Sequence, residues 1–182
     1  MQNNFIEKTD VSIDLPTLEN ELLDVLSICP WPKTNQIGFR HRIDASDFWL
    51  DSSGSLYDFT NNKIIGTETE FTEWNPHTPE YLKNIITELS YKQKFSLGRV
   101  RLMRLMPKTG LSVHSDFEKR YHLVLKTNPY SYFCHTKDNS TVVAGQHLPK
   151  DGYFYCVDTT QEHFVYNGGK EERIHLVINA LG

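Results

Sequence analysis

The second half of the chain is a succession of short runs rich in β-branched and aromatic residues, and turn residues separate these runs. The separators at 107–110 and 167–169, for example, read Pro-Lys-Thr-Gly and Asn-Gly-Gly. Runs of strand length that follow one another so closely bury their apolar faces by pairing into sheets that pack on each other. The pattern therefore predicts a mainly β fold, a double-sheet jelly roll. The predicted strands cover residues 98–106, 111–116, 120–127, 130–135, 141–147, 153–158, 163–167 and 172–180.

The first half of the chain contains two segments with the periodicity of amphipathic helices. The first covers residues 14–27 and has Asp14 as its expected cap, and the second follows Thr78-Pro79, with Thr78 as cap and Pro79 at the first helical position. We expect both helices to pack on the outer face of the larger sheet. The apolar faces consist of Leu15, Leu18, Leu22, Leu23, Val25 and Leu26 in the first helix and Leu82, Ile85, Ile86 and Leu89 in the second.

The length of 182 residues suits one domain, with 1–95 as a helical and irregular support region and 96–182 as the β core. A net charge of −4 gives no overall basic field, so a nucleic-acid partner is not expected. No apolar run approaches the roughly 20 residues of a membrane span, and no signal-peptide pattern is found at the start. The odd number of cysteines, without a Cys-x-x-Cys pair, predicts a cytoplasmic protein. The oligomeric state stays open.

The most informative functional pattern is His114-Ser115-Asp116 followed by a distant His163. Two imidazoles and one carboxylate bind one face of a ferrous ion and leave the opposite positions open. Residues two apart on a strand point to the same side, so His114 and Asp116 can reach one metal ion. A His-x-Asp sequence alone is common by chance, and a zinc site would more often show paired cysteines or His-Glu-x-x-His, which this chain lacks. The order of the three residues favours a metal site.

Arg173 follows His163 by ten residues and suggests what occupies the open positions. A permanently charged guanidinium can hold a carboxylate by two parallel hydrogen bonds. The dicarboxylate that chelates such an iron is 2-oxoglutarate. The pattern therefore predicts an oxygenase that uses Fe(II), 2-oxoglutarate and O₂.

The motifs around these residues resemble those of the aspartyl/asparaginyl β-hydroxylase family of 2-oxoglutarate oxygenases. The block Glu-His-x-x-x-Asn followed by the arginine, with Arg-x-His upstream, is specific to this family among double-stranded β-helix (cupin-like) enzymes. The matching pieces are Pro107-Lys-Thr-Gly-Leu-Ser-Val-His114-Ser-Asp116, Arg120-Tyr-His122-Leu-Val-Leu125, Asp151-Gly152-Tyr-Phe-Tyr, Asp158-Thr-Thr-Gln-Glu162-His163-Phe-Val-Tyr-Asn167 and Arg173-Ile-His-Leu-Val-Ile178.

The resemblance implies that His114 and His163 bind iron and that Arg173 pairs with the distal carboxylate of 2-oxoglutarate. Arg120 and His122 are implied to lie near the metal, where they contact the other carboxylate of the co-substrate or an acidic group of the substrate. Arg120 is then a catalytic residue as well. Without the family pattern, the sequence favours Arg120 as a surface charge at the end of a turn and His122 as a core histidine.

The chain departs from the family pattern at two positions. Animal peptide hydroxylases of the family have glycine where Asp116 stands, so this chain resembles the bacterial-type members that keep the full triad. The helper serine of the family falls at Met103, so the distal carboxylate needs another hydrogen-bond donor, for which Arg101 and Tyr132 are candidates. His175 shares a strand face with Arg173, and the sequence does not distinguish a role in the site from that of a hydrogen-bonded strand histidine.

Two hypotheses about function follow. The first is a dioxygenase that hydroxylates an amino acid, or an Asp/Asn-type side chain in a peptide or protein, and releases succinate and CO₂. The second is a cupin-like module that binds a metal or a small acid without turnover. The triad together with Arg173 favours the first. A small amino acid or a peptide is therefore the expected partner, and the identity of the substrate stays open.

Overall fold

A computed structural model describes residues 5–182 as a mainly β protein with two helices. The helices are α1 (Leu15–Ile28) and α2 (Glu80–Gln93), and a 3-10 turn covers Glu68–Glu70. The strands are β1 (Ile6–Ser12), β2 (Gln36–Gly38), β3 (Arg40–His41), β4 (Tyr57–Asp58), β5 (Lys63–Ile64), β6 (Glu73–Trp74), β7 (Ser96–Leu105), β8 (Thr109–His114), β9 (Lys119–Lys126), β10 (Ser131–Lys137), β11 (Thr141–Gln146), β12 (Tyr153–Val157), β13 (His163–Asn167) and β14 (Arg173–Leu181).

The chain divides into two compact units. Unit 1 combines the described residues up to Leu15 with Arg104–Leu176, and unit 2 combines Pro16–Met103 with Val177–Gly182. The prediction of one domain over the whole chain stays a prediction, as does the placement of the helices on the larger sheet.

Unit 1 contains two antiparallel sheets. One has the strand order β11-β10-β13-β8, and the other has β1-β12-β9 with the beginning of β14 beside β9. The inward-facing residues of both sheets form one apolar core, as expected for a jelly roll. The buried members of this core are Phe5, Ile6, Val124, Phe133, Leu148, Tyr155, Val157 and Val165.

Unit 2 contains both helices, strand β7 and the end of β14, with β2 paired antiparallel to β7. Each helix buries one stripe of aliphatic side chains at helical spacing, which agrees with the periodicity of the sequence. The buried residues of the stripes are Leu18, Leu22 and Val25 in α1 and Leu82, Ile85, Ile86 and Leu89 in α2. Two small antiparallel pairs, β3-β6 and β4-β5, organise the long connection between the helices.

Each of the eight predicted strands has a counterpart among β7–β14. The expected cap of α2 was wrong: Pro79 is the N-cap residue, and the Thr78 hydroxyl instead donates to the carbonyl of Phe39 at 3.2 Å. Strand β1 was not predicted, because five of its seven residues are polar and give no alternating apolar pattern. It is ordered by pairing with β12, which is a long-range contact.

Candidate functional site

The three predicted metal-binding residues lie together in unit 1. His114 ends β8 and is the direct cross-strand partner of His163, the first residue of β13. Asp116 lies two residues beyond the end of β8, where its backbone N–H donates to the carbonyl of Thr159 at 2.8 Å. This bond holds the chain, after β8 has ended, against the connection between β12 and β13. The sequence placed Asp116 on the strand, and the structure places it in the turn that follows.

Both histidines are oriented in the same way by their own strands. Nδ1 of His114 lies 2.7 Å from the carbonyl oxygen of Ser112, and Nδ1 of His163 lies 2.9 Å from that of Gln161. A carbonyl oxygen only accepts, so each Nδ1 donates its proton. In a neutral ring, Nε2 then carries the lone pair that a metal ion needs. The same i to i−2 arrangement therefore prepares both imidazoles as Nε2 ligands.

Asp116 completes the group of donor atoms. Its carboxylate and the two imidazoles each offer one ligand atom, and these atoms all lie within 4.8 Å of one another. Oδ1 of Asp116 accepts a hydrogen bond from Nη2 of Arg120 at 2.6 Å, whereas Oδ2 is buried without a hydrogen-bond partner and lies 3.8 Å from Nε2 of His163. A buried carboxylate oxygen without a donor is costly. These residues fit a divalent metal ion, because a bound cation would satisfy this oxygen.

Charge and burial favour the neutral, ligating form of His163. Burial lowers the pKa of His163, and the positive charge of Arg120 and the neighbouring His114 act in the same direction, while the bond to Gln161 and the charge of Asp116 oppose them. A histidine that loses its proton more readily is a better metal ligand at neutral pH.

A second cluster surrounds the ring of Phe133 in the interior of unit 1. The guanidinium of Arg173 lies over this ring at 4.9 Å from its centroid, and the ring of His122 lies 4.9 Å away at a steep angle. His175 is nearby, with its ring centroid 5.6 Å from that of His122 and its Nδ1 3.0 Å from Nη2 of Arg173. The structure thus brings together Arg173 and His122, which the sequence singled out, and adds His175.

Strand β9 links the metal-binding group to this cluster. Arg120 and His122 are two residues apart on it and share a face, so their Cα atoms are about 7 Å apart along the strand. Arg120 contacts Asp116, and His122 contacts Phe133. A small molecule that spans these two residues would touch both groups.

Arg173 is a buried cation without a carboxylate partner among residues 5–182. Its exposed fraction is 7%, and burial lowers its pKa to about 9. The group is still protonated at neutral pH, so an unneutralised positive charge remains in the interior. An anion that binds here would recover part of the lost solvation energy.

The two candidates for an additional donor to the distal carboxylate lie in different places. Arg101 belongs to unit 2, where it donates to Gln36 and to Asn179. Tyr132 lies on β10 and is 39% exposed. Phe133 and His175 were not assigned to the site from sequence, because an alternating strand pattern shows which residues face inward and not which of them contact each other.

Asn167, the last residue of the Glu-His-x-x-x-Asn block, has a structural role. Its side chain is fully buried and saturated with hydrogen bonds. It joins the end of β13 to the surrounding turns and so fixes the strand on which His163 lies. Its amide nitrogen donates to the carbonyls of Leu105, Met106 and Glu171, and its oxygen accepts from Asn128, Ser131 and Gly169.

A family model described as aspartyl/asparaginyl beta-hydroxylase matches residues 14–181. The chain belongs to this family. No curated protein was found that matches the chain in sequence. As a member of this family, the protein is a 2-oxoglutarate-dependent oxygenase, as the sequence motifs predicted.

Solved structures of similar fold include three oxygenases. A 2OG-Fe(II) oxygenase family oxidoreductase from Burkholderia pseudomallei has 13% identity and a TM-score of 0.56, with 97% of this chain and 84% of that chain covered. HygX from Streptomyces hygroscopicus, solved with nickel and 2-oxoglutarate bound, has 8% identity and a TM-score of 0.55, with 97% and 82% covered. The viral collagen prolyl hydroxylase vCPH from Paramecium Bursaria Chlorella virus-1 has 11% identity and a TM-score of 0.53, with 99% and 97% covered.

Identities this low support the jelly-roll fold and carry no residue-level assignment. By its own geometry, the His-Asp-His group of this chain could hold a metal ion. Within residues 5–182, neither helix is long and apolar enough to cross a membrane.

Proposed function

We propose that the protein hydroxylates an amino acid, or an Asp/Asn-type side chain in a peptide, with His114, Asp116 and His163 as the ligands of Fe(II). The observation that carries this proposal is the grouping of three donor atoms within 4.8 Å, one of them the unsatisfied Oδ2 of Asp116. The two Nε2 atoms are prepared by backbone carbonyls, so the site is organised before the metal binds.

Arg173 is the proposed anchor of the distal carboxylate of 2-oxoglutarate. Its charge is buried beside Phe133 and has no acidic partner in the described chain, which is the environment that a bound dicarboxylate would neutralise. His122 lies against the same ring and would contact the co-substrate between Arg173 and the metal. His114, Asp116 and His163 would hold one face of the metal, which would leave room for the co-substrate and O₂, with the substrate nearby.

Arg120 has two proposed roles. Its hydrogen bond to Oδ1 of Asp116 at 2.6 Å orients the carboxylate so that Oδ2 is presented to the metal. Its positive charge also lies beside the proposed ligands, where it would attract the second carboxylate of the co-substrate or an acidic group of the substrate. We therefore expect a substrate that carries a carboxylate near the hydroxylated carbon.

The overall reaction consumes one C–H bond, one O₂ and one 2-oxoglutarate, and one oxygen atom enters the substrate while the other enters succinate as CO₂ is released. Bound ferrous iron, when present, supplies the electrons that activate oxygen. The chain itself orients both reactants, neutralises the carboxylates and excludes water from the site.

The test is turnover of 2-oxoglutarate by the purified protein with Fe(II) and O₂. We expect succinate formation that stops when iron or oxygen is withheld, and a mass gain of one oxygen in a member of a panel of amino acids and short peptides. His77→Ala is a suitable control, since His77 is an exposed histidine of unit 2 and should leave turnover unchanged. A protein that binds iron and 2-oxoglutarate yet forms no succinate with any panel member would overturn the proposal.

A further inference from the structure

Arg173 has one hydrogen-bond partner in the described chain, Nδ1 of His175, at 3.0 Å. A guanidinium is an obligate donor, so Nδ1 must accept and cannot carry a proton. The ring is therefore neutral, with its proton on Nε2. Both residues lie on one face of β14, which holds the donor and the acceptor next to each other.

The surroundings of His175 agree with this neutral tautomer. Its exposed fraction is 1%, and burial lowers its pKa well below the usual value, with the charge of Arg173 and the neighbouring His122 and His147 adding to the effect. A protonated ring would place a second positive charge against the guanidinium in the interior, which is unfavourable. The residue is thus held as a hydrogen-bond acceptor.

This arrangement has a cost that packing alone does not explain. Nε2 of His175 is buried and has no hydrogen-bond partner in the described part of the chain. A buried donor left unsatisfied costs about 1–3 kcal/mol. An apolar side chain of similar size would avoid this cost and fill the same space. What it would not provide is the acceptor that holds Nη2 of Arg173.

The orientation of the guanidinium depends on two contacts. The face of Phe133 supports its plane from one side at 4.9 Å, and Nδ1 of His175 fixes its rotation within that plane. A bidentate bond to a carboxylate requires the fork to point in one direction, so a guanidinium that rotates freely would lose affinity.

We propose that His175 is a positioning residue that orients Arg173 for the distal carboxylate of 2-oxoglutarate. This inference rests on the proposed function, because it assumes that Arg173 binds the co-substrate. It assigns to a histidine of β14 the support of the proposed carboxylate clamp. His175 acts through Arg173 and does not itself bind the metal.

The experiment compares two substitutions at one position. His175→Leu removes the acceptor and keeps an apolar side chain of similar volume, whereas His175→Asn keeps an acceptor close to the position of Nδ1. The anaerobic ferrous protein is titrated by calorimetry with 2-oxoglutarate and with pyruvate, which has the keto-acid group but no distal carboxylate. We expect His175→Leu to weaken 2-oxoglutarate binding about tenfold, the size of one hydrogen bond to a charged group, and to leave pyruvate binding unchanged. His175→Asn should restore most of the loss.

Steady-state kinetics should also separate co-substrate binding from the chemical step. His175→Leu should raise the KM for 2-oxoglutarate and change kcat little, because only binding of the co-substrate is weakened. Nitrogen NMR of labelled histidines should show an unprotonated Nδ1 in the wild-type residue. Equal loss of 2-oxoglutarate and pyruvate binding would mean that the substitution disturbs the metal site in general and would overturn the inference.

The inference and the proposed function can fail separately. If wild-type protein does not bind 2-oxoglutarate, the proposed function fails. If wild-type protein binds it and His175→Leu binds it equally well, with an unchanged melting temperature, only the role of His175 is refuted. Equal weakening by the leucine and asparagine variants would also refute it, since the ring rather than the acceptor would then matter.

Discussion

Two buried arginines, Arg99 in unit 2 and Arg173 in unit 1, differ in how their positive charge is compensated. Arg99 of unit 2 is 4% exposed and bonds Glu68 through Nε at 2.8 Å and through Nη2 at 2.7 Å, and its backbone N–H donates to the same carboxylate at 2.9 Å. Arg173 of unit 1 is 7% exposed and, among the residues that the structure describes, contacts a neutral histidine and an aromatic ring but no carboxylate. Both arginines are removed from water, and of the two, Arg99 is the one with a carboxylate partner in the described residues.

The difference separates a structural charge from a functional one. Arg99 donates through Nη1 to the carbonyls of Ser52 and Gly54, and Asn179 donates to Oε1 of Glu68, so the network ties a loop and the end of β14 to β7. A hydrogen-bond network satisfied in this way stabilises one conformation and offers no unpaired charge to a ligand. Within residues 5–182, Arg173 of unit 1 has no carboxylate partner and Oδ2 of Asp116 has no hydrogen-bond donor. A bound dicarboxylate and a bound metal ion would satisfy these two groups.

The largest expected effect is the loss of metal binding in unit 1. His163→Ala should abolish ferrous binding and turnover, because two remaining ligands form a weak site, and the loss should exceed the roughly 10–100-fold typical of residues that only orient a ligand. The measurement is anaerobic iron binding together with succinate formation, and His77→Ala is the control. Wild-type iron affinity in the His163 variant would exclude this residue as a ligand.

The next largest effect is on stability, in unit 2. Glu68→Gln should leave Arg99 buried without a counter-charge and lower the free energy of unfolding by about 3–5 kcal/mol, as measured by urea denaturation. The matched control is Glu88→Gln, since Glu88 pairs with Lys92 on the exposed surface of α2 and should contribute less than about 1 kcal/mol. Similar losses in both variants would contradict the structural role of the buried pair.

A smaller effect is expected from Arg173→Lys, and it should appear in binding and not in stability. Lysine keeps the charge and loses the planar fork, so we expect 2-oxoglutarate binding to weaken by about 1–3 kcal/mol with iron affinity unchanged. Calorimetric titration of the ferrous protein gives the co-substrate affinity, and thermal melting gives the stability. If Arg173→Lys lowered the free energy of unfolding as much as Glu68→Gln does, Arg173 would be a structural charge like Arg99.

The smallest expected effect is a pH dependence of stability from Glu68. Burial opposes its ionisation, but the hydrogen bond and charge of Arg99 outweigh burial and lower the pKa of Glu68 in the folded protein. A depressed folded pKa means that the stabilisation is complete above the unfolded value of about 4.3 and is lost as pH falls through the lower folded value. The stability difference between wild type and Glu68→Gln should therefore shrink between about pH 4.3 and the folded pKa. A difference that is constant across this range would show that the charge is not responsible.

Much of the candidate site could be predicted from the sequence. The order His114, Asp116, His163 and Arg173 is visible in the sequence, and the family resemblance directed attention to Arg120 and His122, which lie two residues apart on β9. The prediction was less accurate where a local pattern was weak. Strand β1 is mostly polar and is ordered by its pairing with β12. Thr78 was predicted to be the N-cap of α2 because threonine is a common N-cap residue and proline is common at the first helical position, whereas Pro79 is the N-cap in the structure.

The sequence by itself determined both helices, the eight strands β7–β14 and the kind of chemistry, because strand and helix periodicity are local and because two histidines and a carboxylate are typical ligands in non-haem Fe(II) oxygenases. Tertiary structure decided which groups are satisfied. Only the pairing of β8 with β13 brings His114 opposite His163, and only the folded interior leaves Arg173 with a histidine and Glu68 with an arginine. Whether a buried charge finds its partner depends on residues far apart in the chain, so no local pattern can separate the structural arginine from the one that awaits a ligand.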